Sequence, residues 1–253
     1  MVGVKDDLQL ALDRVSFADR LGIVPDLWQV DLLRSTSDRI LMNVGRQCGK
    51  SLSAAVVALH RALYHPGSLT LILAPSERQA KETFSKVSDL YRKLGHEVPL
   101  DSNRKLGLRL ANGSRIEALP GSEKTIRGFS GVDLLILDEA SRVDDSLYYA
   151  VRPMLAVSGG SLMMLSTPFG RRGVFYEEWT GGEGWERYEV PASQCPRITE
   201  EFLEEERLSV PRRIFDQEYR CQFAQTDDAV FSFEDVQGAL SDDTVTPLFG
   251  RAS

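Results

Sequence analysis

Two short segments carry residue types that together handle a polyphosphate. The first is GRQCGKS at 45–51, placed where an apolar run, Ile40 to Val44, gives way to a helical pattern. Backbone N–H groups of such a turn, with the helix N-terminus behind it, attract phosphate oxygens. Lys50 neutralises the outer phosphates and the Ser51 hydroxyl ligates Mg²⁺ beside them. The usual spacing, GxxxxGK[ST], would put its first glycine at position 44; this chain has Val44 there, and Gly45 comes one residue late. Gly45, Arg46, Gln47, Cys48 and Gly49 complete the nucleotide-binding set read from this segment. The second segment is DLLILDEAS at 133–141, an apolar strand ending in two adjacent carboxylates. Asp138 is expected to hold the metal, directly or through water, and Glu139 to orient or deprotonate the water that attacks the γ-phosphate. Either acid alone would be an ordinary solvated strand end. In this order, each segment closing a strand, they predict a site that binds ATP with Mg²⁺ and hydrolyses it.

Elements that position such a site are legible around them. Short apolar runs alternate with amphipathic stretches, the pattern of a mostly parallel sheet flanked by helices. Strands are expected at Ile40 to Val44, Leu69 to Ala74, Asp133 to Leu137, Ser161 to Leu165 and Glu186 to Val190. Helices are expected from Lys50 to Tyr64, Glu77 to Leu94 and Asp145 to Leu155, lengths that suit right-handed crossovers. LGLRLANGSRIEAL places Asn112-Gly113 between two alternating runs and reads as a tight hairpin projecting from the core. After Pro191 the chain turns acidic and helical, with Thr199 capping EEFLEEERL and Pro211 opening a second helix. The division expected is a nucleotide-binding core over 1–190, with residues 1–24 free to pack on the lid, a small helical lid subdomain over 191–232, and a linker over 233–253.

Composition bounds the rest. With 42% hydrophobic and 26% charged residues in 253, the chain suits one globular domain, or one with a small satellite. It has no apolar run of about eighteen residues and no basic-then-apolar start, so no membrane partner is expected and the chain reads as cytosolic. Cys48, Cys195 and Cys221 are widely spaced and lack metal-ligand spacing, so free thiols are expected. A net charge of −7 argues against a general nucleic-acid coat but leaves local basic patches open.

The late-glycine loop GRQCGKS, the Arg-Gln before its cysteine, LILAPSERQAKETF, LILDEA and LSTP, in that order, resemble the ATPase half of the large terminase subunit of tailed double-stranded DNA bacteriophages. The resemblance covers nearly the whole chain. It implies a P-loop NTPase of the additional-strand, catalytic-glutamate type. It also implies that Gln29 of LWQVDLL reads adenine, that Ser166 and Thr167 couple hydrolysis to moving parts, and that Arg127 of IRGFSG acts on a neighbouring subunit's ATP. Arg46, inside the loop, is the candidate for acting on its own nucleotide. The implied setting is a homo-oligomeric ring on the capsid portal, with double-stranded DNA and the small terminase subunit as partners, in the cytoplasm of the infected bacterial host. Arg104, Lys105 and Arg109 around the hairpin are the favoured DNA-backbone contacts, with Arg171 and Arg172 of FGRRG as the second cluster.

Such subunits usually continue into a nuclease with clustered metal-binding aspartates. DDAVFSFEDV looks like that junction and no acidic strand cluster follows it, so no DNA cleavage is expected from this polypeptide. A helicase-like or DNA-remodelling ATPase is the alternative, although a two-lobed helicase needs more residues than follow Pro191. A nucleotide-dependent assembly module with little turnover is the other, and Glu139 argues against it.

Overall fold

Apolar runs too long and too uniformly hydrophobic for a half-exposed sheet become buried parallel strands here. The computed structural model describes residues 4–95, 98–104, 106–121, 126 and 128–224. Eight strands, β1 (Arg39–Val44), β2 (Leu69–Ala74), β3 (Leu100–Arg104), β4 (Gly107–Leu110), β5 (Arg115–Pro120), β6 (Leu134–Asp138), β7 (Ser161–Ser166) and β8 (Glu186–Val190), form one sheet in the order β3-β4-β5-β2-β6-β7-β1-β8. Pairing is parallel except at β3–β4 and β4–β5. The five expected strands agree with their observed bounds to within one residue at each end. The acidic strand β6 is not the immediate neighbour of β1, because β7 is inserted between them. That insertion is the additional strand the resemblance implied.

Side chains alternate across the sheet as the pleat requires. Along β2, Leu69, Leu71 and Leu73 enter one core layer while Ile72 and Ala74 enter the other. The first layer is closed by α6 (Asp145–Ala156) and α7 (Gly173–Thr180). The second is closed by α4 (Lys50–Tyr64) and α5 (Glu77–Lys93), with three N-terminal helices packed outside α4. These are α1 (Val4–Leu12), α2 (Arg14–Arg20) and α3 (Leu27–Arg34). Asp13 caps α2 by accepting from the N–H groups of Val15 and Ser16, and the Ser76 hydroxyl caps α5 by accepting from Gln79 N–H.

The hairpin expected to project from the core is instead built into the sheet. Gly113 takes the left-handed φ of +86° that the turn requires. However, β5 pairs in parallel with β2 along its whole length, burying Ile116 and Ala118 completely. Asn112 Nδ2 donates to the carbonyls of Ala62 and Leu63 at 2.9 and 3.2 Å, so the turn also caps the end of α4. A free hairpin would leave those carbonyls and the β2 edge unsatisfied.

Beyond Pro191 a short 3₁₀ turn (Ala192–Gln194) leads to α8 (Glu200–Ser209), capped by Thr199 as expected, and α9 (Arg212–Arg220). Helix α8 buries no residue fully, whereas α9 turns Phe215 and Gln217 inward. Among the described residues no helix is long and apolar enough to cross a membrane.

One buried group is expected to make this fold acid-sensitive. His60 on α4 is 4% exposed; its Nε2 lies 3.1 Å from Leu10 O, and its Nδ1 has no partner. Burial, with the Arg14 guanidinium beside it, pushes its pKa down to about 4. The unfolded chain takes up a proton as pH falls through the ordinary histidine value, but the folded chain does so only near 4. The stability held by neutral His60 is therefore complete above about pH 6.5 and lost as pH falls towards 4. Denaturant unfolding should give a stability about 2 kcal/mol lower at pH 5 than at pH 7 from this group. His60→Gln should show a correspondingly weaker pH dependence, and an unchanged one would exclude His60 as the cause.

Candidate functional site

The loop joining β1 to α4 is held from behind by chain that lies far away in sequence. Gly45 N–H donates to Val190 O (2.9 Å) and Arg46 N–H to the Glu218 carbonyl (2.8 Å). Gly45 does not supply a special φ; it supplies room, since a Cβ there would lie 3.1 Å from Ala192 N and 3.3 Å from Cys48 Sγ. That accounts for a glycine at 45 while Val44, fully buried, completes the strand. The left-handed positions are Gln47 (φ +60°) and Gly49 (φ +95°). A side chain on Gly49 would meet Gln29 Nε2 at 2.7 Å.

Gln29 therefore stands behind the loop, 4% exposed, and is not among the residues that line the cleft in front of it. Its Nε2 donates to Ser53 Oγ (2.9 Å) and its Oε1 accepts from Asp26 N–H (2.9 Å). Arg197 grips the Asp26 carboxylate through two 2.8 Å hydrogen bonds and reaches Cys48 O at 3.5 Å. Cys48, Cys195 and Cys221 are all buried free thiols. Burial and the neighbouring Cys195 push the Cys48 thiol up to about 12.

In front of the loop is a cleft of about 530 Å³ lined by Arg46, Gln47, Gly49, Lys50, Ser51, Asp138, Glu139 and Thr167. The ends of β1, β6 and β7 thus converge on the N-terminus of α4, a 15-residue helix whose first N–H groups favour an anion. Lys50 Nζ lies 3.3 Å from Glu139 Oε1, both side chains being largely buried. Glu139 has a left-handed backbone (φ +54°), a conformation costly for a non-glycine residue and typical of functional sites. Asp138 is 4% exposed; its Oδ1 accepts from Glu139 N–H (3.0 Å) and its Oδ2 from the Thr83 hydroxyl. Burial pushes the Asp138 carboxyl above the usual carboxylate range, the Thr83 hydrogen bond opposes this, and the charge of Glu139 adds to it.

A buried carboxylate whose negative charge is incompletely balanced, facing a cleft with a serine hydroxyl, suits Mg²⁺. That ion takes one or two protein oxygens and completes its shell with phosphate and water. Ser51 and Asp138, one hydroxyl and one carboxylate lining the same cleft, are a donor set of this open kind.

Ser166 and Thr167 are buried at the end of β7. Ser141, two residues beyond Glu139, gives its N–H to Ser166 Oγ (3.2 Å) and its hydroxyl to Thr167 O (2.8 Å). Thr167 Oγ1 donates to Glu218 Oε2 at 3.3 Å, and Arg142 Nη2 lies 3.1 Å from Glu218 Oε1. Glu218, Arg142, Thr83 and Arg78 all line the cleft and were missed from sequence. For Thr83 a signal existed: it lies on the apolar face of α5 yet carries a hydroxyl. Nothing distinguishes Glu218 within RRIFDQEYR from its solvated neighbours.

Arg127 and Lys105 lie outside the described residues, as does the segment 225–253. Arg104 closes β3, and Arg109 on β4 is exposed with Asp101 3.8 Å away. Both strands lie at the edge of the sheet remote from β1. Arg171 Nε donates to Phe223 O (3.1 Å), and Arg172 lies over the Phe169 ring. A larger groove of about 1400 Å³ beside α1 and α2 is lined by Asp6, Asp7, Asp13 and Asp19 together with Arg20 and Arg34, and contains none of the residues of the two phosphate-site segments.

A P-loop between β1 and α4, an acidic pair ending β6 and an extra strand between the two define a P-loop NTPase fold of the additional-strand kind. The sequence matches the family "Terminase large subunit, T4likevirus-type, N-terminal" over residues 41–237, and the chain belongs to that family. It is 30% identical to the terminase large subunit of Thermus phage G20c, the match covering 85% of this chain and 52% of that protein. With the terminase large subunit of Escherichia phage T5 it shares 25% identity, covering 83% and 50%. The chain thus spans about half the length of the curated relatives it matches. The large terminase ATPase domain of Thermus phage P74-26 superposes with a TM-score of 0.71 at 28% identity, covering 82% of this chain and 97% of that one. The large terminase of bacteriophage D6E, at 11% identity and a TM-score of 0.66, shares the fold.

Proposed function

We propose that this chain hydrolyses Mg²⁺·ATP and that the hydrolysis drives double-stranded DNA into a viral procapsid. The observation that carries the reading is the Lys50–Glu139 contact of 3.3 Å beside buried Asp138, a cation and a base facing one cleft. Relatives of the fold have been solved with such ligands: the D6E large terminase is described in complex with ADP and with ATP-gamma-S.

In this reading the loop N–H groups and Lys50 take the β- and γ-phosphate oxygens, so Lys50 exchanges Glu139 for phosphate when nucleotide binds. Glu139, released, accepts a proton from the attacking water or aligns it. Ser51 and Asp138 hold Mg²⁺, which when bound offsets the charge of the phosphates. Arg46 supplies positive charge to its own nucleotide, and Arg127 to that of the next subunit in a homo-oligomeric ring. Gln29 supports the loop from behind, and to read adenine its amide has to turn from Ser53 and Asp26 towards the nucleotide. Ser166 and Thr167 pass the state of the site to the helices after Pro191, which serve as the lid. Arg104, Lys105 and Arg109 grip the DNA backbone without regard to sequence. The ring sits on the capsid portal, with the small terminase subunit as a further partner, in the cytoplasm of the infected bacterium.

Phosphate release per chain, measured over a range of chain concentrations with and without DNA, tests this. Turnover per chain should rise with concentration, because an arginine given in trans needs a neighbour. No release above buffer at any concentration, with or without DNA, would remove hydrolysis; constant turnover per chain would remove the trans arginine.

A further inference from the structure

Asp138 sits at the end of β6 with both carboxylate oxygens already engaged, one by its neighbour's N–H and one by a side chain from another element. That side chain is Thr83, on the second turn of α5, 2% exposed and lining the same cleft. Its hydroxyl proton points at Asp138 Oδ2, because a carboxylate can only accept. A Thr side chain in a helix has few rotamers, and this one is packed on all sides, so the donor is fixed in place. The two hydrogen bonds hold the carboxylate plane between Glu139 N and Thr83 Oγ1 and leave each oxygen one further lone pair.

We propose that Thr83 is a positioning residue for the metal, orienting the Asp138 carboxylate so that an oxygen faces the cleft shared with Ser51. The inference rests on the Mg²⁺·nucleotide reading above and adds to it a residue outside both phosphate-site segments. Three observations support it beyond the hydrogen bond itself. Thr83 is a polar residue on the otherwise apolar inner face of α5, among Ala80, Phe84 and Val87, where valine would pack as well. Asp138 is 4% exposed, so the two protein donors that hold it account for most of its surroundings. Lys86, one turn further along α5, also lines the cleft but pairs with Glu82 at 3.7 Å, leaving Thr83 as the α5 group that touches the acid. Groups that orient a metal's carboxylate ligand typically matter about 10–100-fold in metal affinity.

The test is Mn²⁺ binding to the 253-residue chain saturated with ADP, followed by loss of the free Mn²⁺ electron paramagnetic resonance signal; ADP avoids turnover. Thr83→Val, which keeps shape and removes the donor, should weaken Mn²⁺ by about 10-fold or more. Thr83→Ser, which keeps the donor, should stay within about threefold of the parent. ADP affinity measured in EDTA should be alike in all three, whereas a general loosening of the cleft would lower it in Thr83→Val. Equal Mn²⁺ affinity in Thr83→Val and the parent overturns the inference while leaving the nucleotide reading intact. An Mn²⁺ loss in Thr83→Val matched by an equal loss of metal-free ADP binding overturns it too, since the hydroxyl would then be structural. A parent chain that binds no Mn²⁺·ADP, alongside an equally silent Asp138→Asn, takes down both.

Discussion

Glu139→Gln is expected to lower phosphate release by about 10²–10⁴-fold, the range of a positioned general base, while nucleotide binding holds or tightens. The sign of the binding effect follows from the contact to Lys50. Lys50 Nζ is 3.3 Å from Glu139 Oε1, so the carboxylate competes with phosphate for the cation. Glutamine keeps the shape and the hydrogen-bonding oxygen but not the charge, so the competition weakens. The substitution should therefore appear as a kcat effect, with KM unchanged or lower, and an ATP-bound chain should accumulate. Single-turnover phosphate release and equilibrium binding of a fluorescent ATP analogue separate the two. A variant that hydrolyses at the parent rate would take the base role from Glu139; one that fails to bind would make it a ligand.

Lys50→Met is expected to remove turnover by at least about 10³-fold and to weaken nucleotide binding at the same time, because the cation meets phosphate in both ground and transition states. It should also destabilise the nucleotide-free chain. Asp138 and Glu139 are adjacent, Asp138 is almost wholly buried, and Lys50 is the cation beside them. Removing it leaves two neighbouring carboxylates to repel one another. A fully buried pair broken this way costs about 3–5 kcal/mol; with Glu139 at 23% exposure, about 1–3 kcal/mol is expected. Urea unfolding reads this directly, and an unchanged midpoint would mean that solvent already compensates the acids. The paired double substitution Lys50→Met with Glu139→Gln should recover part of the stability and none of the activity.

What could be read from the residues and what could not divides along physical lines. The central parallel strands were legible because they are near-continuous apolar runs, as at LTLILA and LLILD, the pattern of strands buried on both faces. Strand β3, LDSNR, was missed because four of its five residues are polar and its pairing depends wholly on β4 beside it. The Asn112-Gly113 turn announced a hairpin but not its docking, since that is decided by the free edge of β2 and by two carbonyls at the end of α4. In the cleft, the loop and acidic segments were legible because their chemistry is concentrated in consecutive residues. Thr83, Arg142 and Glu218 contribute one side chain each from separate elements, and only the fold brings them to the same place. The three cysteines show the same thing: dispersed in sequence, they are close enough in the fold that, after burial, Cys195 adds to the upward shift of the Cys48 thiol and Cys48 to that of Cys221.

The fastening of the loop to α9 has a consequence for the order in which the chain is made. Arg46 N–H is satisfied by Glu218 O, and Asn43 Nδ2 donates at 2.8 Å to Cys221 O, a partner 178 residues later. A ribosome adding roughly 5–20 residues per second needs about 10–40 s to travel that distance. Once residue 139 has been added the nascent chain carries Lys50, Ser51, Asp138 and Glu139, but until Glu218 and Cys221 follow the back of the loop is unsatisfied. Closure across so long a span is also the slow kind of contact to form. The phosphate site is thus completed only after Glu218 and Cys221 have been made, and a nascent chain that has not reached them cannot present it in finished form.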